Sequence, residues 1–273
     1  AMALGGTEAA ILFSWALASL TLIGLLSYLS EKFSTQVAWI ALVSLLAGQT
    51  ISDSLSWGYV EWTAMLYGFS FFVLLDLWRS RGEDKFLWLS ALLVGFAMGT
   101  KYTTGILLVT ALPIILLTKR GYGLKSALRD IFIFTGIALL TFSPWLIKNL
   151  LATGNPVYPL LLPSGAMDIH RLALYQGDPA WGDWRDTIFL PWRATIWGIE
   201  SKVGYSAEIG SLMLALSPLV WIGWKERSAA QKRSLQTALI ITLTGFFLWA
   251  VAGRASRLLI QTRLYFVLFP TWA

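Results

Sequence analysis

Cysteine is absent from the chain, which excludes a disulfide framework, a thiol nucleophile and a thiolate metal site. Histidine is almost as scarce, and the single His170 cannot build a multi-histidine metal cage. Charge is thin: 13% of residues are charged against 56% hydrophobic, and the mean hydropathy is +0.65. Ordinary soluble domains carry about 25% charged residues, so the shortage points to lipid as the surrounding solvent. No phosphate-binding glycine motif, low-complexity tract or internal repeat is present, and an inverted-repeat transporter gains no support. No nucleic-acid partner is expected.

What is abundant is tryptophan and uninterrupted apolar sequence. The 15 tryptophans suit the membrane interface, where indole rings prefer to sit. Eight hydrophobic segments are long enough to cross or nearly cross a bilayer, near 8–29, 37–52, 57–77, 86–100, 103–118, 131–148, 207–224 and 235–252. The second, fourth and fifth are short for an upright helix. A ninth begins at Leu264 and is still apolar at Ala273, short of the roughly 20 residues a span needs. The expectation is an all-α polytopic bundle forming one transmembrane domain over 1–273, itself a fragment of a longer chain. Gly95 and Gly99 have the spacing that lets two helices approach closely.

The connections orient the bundle. Lys32; Arg79, Arg81 and Lys85; Lys119, Arg120, Lys125 and Arg129; and Lys225, Arg227, Lys232 and Arg233 follow the first, third, fifth and seventh segments. Short basic loops belong on the cytoplasmic side. The other side then holds 53–60, Lys101 with Tyr102, the long polar excursion 149–206, and 253–263. One long loop on one face of a membrane protein commonly carries function.

The candidate chemistry lies on that second face. Asp53 and Glu61 are two acids leading into the third segment, and Glu61 falls in the first turn of its helix. A carboxylate there complements the helix dipole and caps free amides. The same carboxylate at the edge of a span is also a functional candidate, because ionisable groups near a bilayer centre cost roughly 2.5–3.5 kcal/mol. Lys101, beside Tyr102, is either an interfacial anchor or a point charge held for a phosphate. Arg254, Arg257 and Arg263 form a second basic cluster, with Arg263 nearest the next apolar run. The loop interleaves Tyr158, His170, Tyr175, Trp181, Trp184, Trp192, Trp197 and Tyr205 with Asp168, Asp178, Asp183, Asp186, Arg185 and Arg193. That mixture suits sugar recognition or an amphipathic segment in the headgroup layer.

Five short motifs then add a resemblance: Gly99-Thr-Lys-Tyr-Thr103, Ser143-Pro-Trp-Leu-Ile-Lys-Asn149, Gly154-Asn-Pro-Val-Tyr-Pro159, Leu190-Pro-Trp-Arg193 and Arg263-Leu-Tyr265. In this order they resemble the GT-C superfamily of integral membrane glycosyltransferases, closest to the bacterial branch of protein O-mannosyltransferases and the lipid A aminoarabinose transferase. The resemblance implies sugar transfer from a polyprenyl-phosphate carrier to a lipid, glycan or protein acceptor on the outer face of the bacterial plasma membrane. With it, Glu61, at a position where the family often has an acid, is expected as a catalytic-site acid in a metal-binding or acceptor-orienting role, with Asp53 as a second acid and Lys101, Tyr102 and Arg263 on the carrier phosphate. Trp181, Asp183, Trp184, Trp192 and Arg193 would meet the acceptor. Some families of this type use a divalent metal such as Mg or Mn, and no other cofactor is implied. Their principal catalytic aspartate lies in a first outer loop that would precede Ala1, so a fragment starting there is expected to lack it. Two other classes compete: a non-catalytic subunit of a membrane complex, and a lipid or polyprenyl-phosphate transporter.

Overall fold

A computed structural model describes residues 2–160, 162, 180–199 and 208–273. Asp168, His170, Tyr175, Asp178 and Tyr205 of the long loop lie outside the described residues. The chain is all-helical, with no strand among the described residues. In order, the helices are α1 (Met2–Lys32), α2 (Thr35–Leu46), α3 (Gln49–Asp53), α4 (Glu61–Arg81), α5 (Asp84–Thr100), α6 (Ile106–Thr118), α7 (Leu124–Thr153), α8 (Trp184–Ile188), α9 (Leu190–Trp192), α10 (Ser211–Leu216), α11 (Ala229–Ala255) and α12 (Phe269–Trp272). Tight 3-10 turns at Tyr102–Gly105 and Thr262–Leu268 join the longer elements.

The helix boundaries follow local chemistry. Ser34 and Ser228 cap α2 and α11 by accepting from the backbone amides of Val37 and Gln231. Gln231 completes a capping box at α11 by accepting in turn from the Ser228 backbone amide. α7 stops at Gly154, whose left-handed φ of 72° lets its N–H reach the Leu150 carbonyl before Asn155-Pro156 redirects the chain.

Among the described residues, three helices are long and apolar enough to cross a membrane: Gly5–Lys32 of α1, α7 and α11. A fourth arises if α2 and the segment Gln49–Ser56, bent by 85°, count as one span. The expectation of about eight complete spans is therefore corrected. α5 and α6 have only 17 and 13 residues, and the apolar run 207–224 breaks into α10 and a Pro218-containing turn. α4 is long enough but carries Glu61, Asp76, Arg79 and Arg81, and its large residues are spent on the interior. Trp62, Met65, Phe71, Phe72, Leu75 and Trp78 are all buried. A helix hydrophobic on all sides reads the same in sequence whether it meets lipid or protein.

The spans themselves face outward. Only 22% of the most apolar window is buried in α1 and α7, and 39% in α11. Phe13, Trp15 and Ile23 of α1, Phe132, Leu140 and Leu151 of α7, and Leu243 and Phe247 of α11 are exposed. Continuous apolar faces of this kind, on helices long enough to span, suit contact with lipid.

α4 is the hub, packed against α1, α5, α11 and the Thr262–Leu268 turn. Lipid removes most of the hydrophobic drive between helices, so close backbone approach matters more. Gly68 of α4 lies against the Val267 backbone, where any Cβ would overlap the carbonyl oxygen. Gly95 of α5 lies equally close to Ala138 and Thr141 of α7, whereas Gly99 has open space beside it. Three tryptophans, Trp62, Trp78 and Trp249, are core residues rather than interface anchors.

α1 and α4 run in the same direction: Ser14 donates to the Tyr59 carbonyl near one end, and Tyr28 to Asp76 near the other. One end of the bundle therefore gathers Lys32, Arg79, Lys119 and Arg233, linked by Lys32–Asp76 at 2.7 Å, Lys119–Asp130 at 2.9 Å and Arg79 donating to the Arg233 carbonyl. The opposite end gathers Glu61, Lys101, Asn149 and Arg263. The charge pattern of the sequence separates the same two groups.

Candidate functional site

At the second end, three chain segments meet. Glu61 opens α4 as its first residue, Lys101 is the extended residue that ends α5, and Arg263 lies in the turn that packs back along α4. The Lys101 ammonium donates to Glu61 Oε1 at 2.8 Å and to the Arg263 backbone carbonyl at 3.3 Å. Thr103 donates to the Leu264 carbonyl at 2.9 Å, fastening the same turn one residue further on. The Arg263 side chain is steadied by Gln261, whose Oε1 accepts from Nε at 2.9 Å.

The electrostatics are uneven. The Glu61 side chain is 4% exposed and that of Lys101 is 20% exposed. Burial pushes the Lys101 ammonium below the ordinary lysine range, contact with Glu61 pulls it back up, and the nearby Arg263 guanidinium lowers it again. Glu61 Oε2, by contrast, is buried with no hydrogen-bond partner among the described residues. The Trp62 indole N–H and the Thr262 hydroxyl at the same α4–turn junction are also buried and unpartnered among the described residues. Buried polar atoms are nearly always bonded, so unpaired ones call for an explanation such as strain or a functional role.

Tyr102, expected beside Lys101 at the carrier phosphate, places its hydroxyl in a hydrogen-bonded brace. Its hydroxyl donates to the Tyr158 carbonyl at 2.8 Å and accepts from Asn149 at 2.7 Å and the Trp145 indole at 3.3 Å. It braces the end of α7 and the Gly-Asn-Pro turn against the Lys101 segment, and thereby ties three of the five sequence motifs together. Asn155 continues that brace by donating to the Leu160 and Leu162 carbonyls. Asp53 is exposed at the end of α3 and makes no ion pair among the described residues.

The described part of the long loop is built from its own polar residues. Asp183 caps α8 by accepting from the Asp186 amide at 2.9 Å, a bond that holds its carboxyl below the usual range. Arg193 pairs with Asp186 at 2.5 Å and lies over the Trp197 ring. Trp181 docks on the end of α11, its backbone N–H donating to the Gly253 carbonyl at 2.8 Å and its own carbonyl accepting from Arg254. Trp184 and Trp192 keep exposed rings, at 69% and 46%. Among the acceptor candidates, these two rings and the Asp183 side chain are exposed.

Thr262 and Gln261 carry no motif that would have singled them out. The only sequence signal is a short polar run, Gln261-Thr262-Arg263, between two apolar stretches. The Lys101 ammonium occupies one Glu61 oxygen, and no cluster of three or more Asp, Glu or His residues occurs among the described residues. No curated protein and no solved structure matches the chain. A family model does match residues 13–167, more than half of the sequence, and the chain belongs to that family, described as a domain of unknown function (DUF8201).

Proposed function

We propose that this chain is part of a membrane glycosyltransferase that moves a sugar from a polyprenyl-phosphate carrier to a lipid, glycan or protein acceptor. The Glu61–Lys101–Arg263 junction would face outside in a bacterial plasma membrane, and the shorter helices α4, α5 and α6 would lie in the bilayer beside the three long ones. The observation that carries the reading is the meeting of two cations with a buried carboxylate that has one oxygen unpaired among the described residues.

In this reading Glu61 Oε2 accepts the proton of an acceptor hydroxyl. The acceptor oxygen bonds to the anomeric carbon as the bond from that carbon to the phosphate oxygen breaks. Polyprenyl phosphate leaves with the electron pair, and Lys101 and Arg263 stabilise the charge that develops on it. Trp184 and Trp192 offer ring faces on which a sugar can stack. No step is routed through a metal.

A second reading has its own support. Lys101 and Glu61 neutralise each other at 2.8 Å, and the Tyr102 hydroxyl is fully engaged, which is also what a purely structural junction would show. A non-catalytic subunit of a membrane complex would use the same geometry to hold its shape. Transfer from radiolabelled polyprenyl-phosphate sugars to membrane lipid, glycan and protein acceptors separates the two. The enzyme reading expects a loss of about 100-fold or more for Glu61→Gln, the scale of general-base catalysis, and a further defect for Lys101→Ala. Unchanged rates in both variants would leave the subunit reading in its place.

A further inference from the structure

At the end of the bundle opposite Glu61 lies a groove of about 310 Å³ that the proposed transfer reaction does not use. It runs between the C-terminal part of α1, α2, α10 and the first half of α11, with Leu29, Ile40, Phe72, Met213 and Leu239 in its walls. The hydroxyls that line it are already bonded within the protein. Ser44 donates to the Ile40 carbonyl, Ser217 to that of Met213 and Ser234 to Asp76, while Thr242 and Thr271 bond each other at 3.1 Å. Trp272 donates its indole N–H to Ser217 at 2.8 Å. The interior thus offers hydrocarbon to an occupant and leaves few free donors, a poor site for a polar solute and a good one for an acyl chain.

The mouth is chemically opposite. Arg227 lines it with its guanidinium 5.7 Å from the Phe33 ring centre, Nη2 donating to the Ile222 carbonyl at 3.3 Å and Nε buried without a partner among the described residues. Lys225 and Lys232 flank Arg227 along the chain, joined by a bond from the Lys232 ammonium to the Lys225 carbonyl. Asp76 is spent on Tyr28, Lys32 and Ser234. The acids closest to the mouth along the chain are Glu31, which is exposed, and Glu226, and neither forms an ion pair with Arg227 among the described residues. Trp221 and Trp224, with ring centres 5.2 Å apart, line the groove at the same level, the interfacial position such rings favour. An apolar channel with a basic, aromatic rim matches one amphiphile: a hydrocarbon tail carrying an anionic head.

We propose that this groove binds an anionic glycerophospholipid of the surrounding bilayer, its acyl chain among Ile40, Phe72 and Leu239 and its phosphate on Arg227. The site is separate from the Glu61 junction, so the two proposals stand or fall independently. The test is native mass spectrometry of the detergent-solubilised chain exposed to an equimolar mixture of dioleoylphosphatidylglycerol and dioleoylphosphatidylcholine. The unmodified protein retains one phosphatidylglycerol in preference to phosphatidylcholine by about tenfold, the scale of one charge-assisted hydrogen bond. Arg227→Gln erases the preference, and Ala238→Phe, which fills the groove from α11, lowers retention of both lipids. Helix content by circular dichroism identifies any variant that fails to fold, and the unmodified protein decides the matter without variants. Equal retention of the two lipids by the unmodified chain overturns the proposal. So does a preference that survives Arg227→Gln in a folded variant, or a lipid-free dimer, which would assign the groove to a second copy of the chain.

Discussion

Two buried carboxylates, at opposite ends of the same helix, have contrasting surroundings. Asp76, 1% exposed near the end of α4, uses both oxygens: Oδ2 accepts from Tyr28 at 2.9 Å and Lys32 at 2.7 Å, and Oδ1 accepts from Ser234 at 2.8 Å. Glu61, 3% exposed at its start, uses one oxygen for Lys101 and leaves the other unpaired among the described residues. Asp76 is a finished joint that locks α1, α4 and α11. Glu61 is an unfinished one. Removing a buried charge whose every acceptor site is filled strands its partners, whereas a buried charge with an open acceptor site is the better candidate for chemistry.

The contrast can be broken most severely at Asp76. Asp76→Ala strands the Lys32 ammonium and leaves the Tyr28 and Ser234 hydroxyls without their acceptor, with an expected loss of about 3–5 kcal/mol, the range for breaking a buried ion pair. Thermal unfolding in detergent checks it, and a shift no larger than that of an exposed-site substitution would contradict the joint. Next in size is Gly68→Ala, which forces the Thr262–Leu268 turn away from α4 and should cost about 1–3 kcal/mol as an overpacked contact. The same variant should weaken transfer, because Arg263 moves with the turn. Denaturation and transfer assays on one preparation would read both effects.

Smaller effects sharpen the site end. Tyr102→Phe and Asn149→Ala should each cost about 1 kcal/mol, the value of a typical hydrogen bond. Their double variant should cost less than the sum, since both remove the bond between Tyr102 and Asn149. A strictly additive cycle would show that the brace carries no energy. The smallest effect concerns pH. The Asp183 carboxyl is held below its usual range in the folded protein, so the stabilisation from its cap is complete above the unfolded value of about 3.9. It fades as pH falls through the lower folded value. Acid-active proteolysis at α8 should therefore accelerate as pH is lowered through that window, and Asp183→Asn should flatten the pH dependence.

Much of this arrangement is legible in the sequence. The alternation of basic and non-basic connections separates Lys32, Arg79, Lys119 and Arg233 from Glu61, Lys101 and Arg263, because each sits where an apolar run ends and helices return the chain end to end. The number of spans is not legible in the same way. Hydropathy reports how apolar a stretch is and not how long its helix runs, so α5 and α6, as apolar as α1 but only 17 and 13 residues long, read as spans. Tyr102 illustrates a second limit. Its partners Asn149 and Tyr158 lie 47 and 56 residues away, and no local pattern shows that its hydroxyl is already taken. Tryptophan counts mislead for a related reason: Trp62, Trp78 and Trp249 fill the core, while Trp184 and Trp197 stay exposed.

The central claim is that Glu61 is held for chemistry while Asp76 is held for structure. The most direct measurement is sugar transfer and thermal unfolding on the same purified Glu61→Gln protein. The account predicts transfer reduced by about 100-fold or more with an unfolding temperature far closer to the unmodified chain than that of Asp76→Ala. Undiminished transfer, or an unfolding temperature lowered as far as by Asp76→Ala, would contradict it.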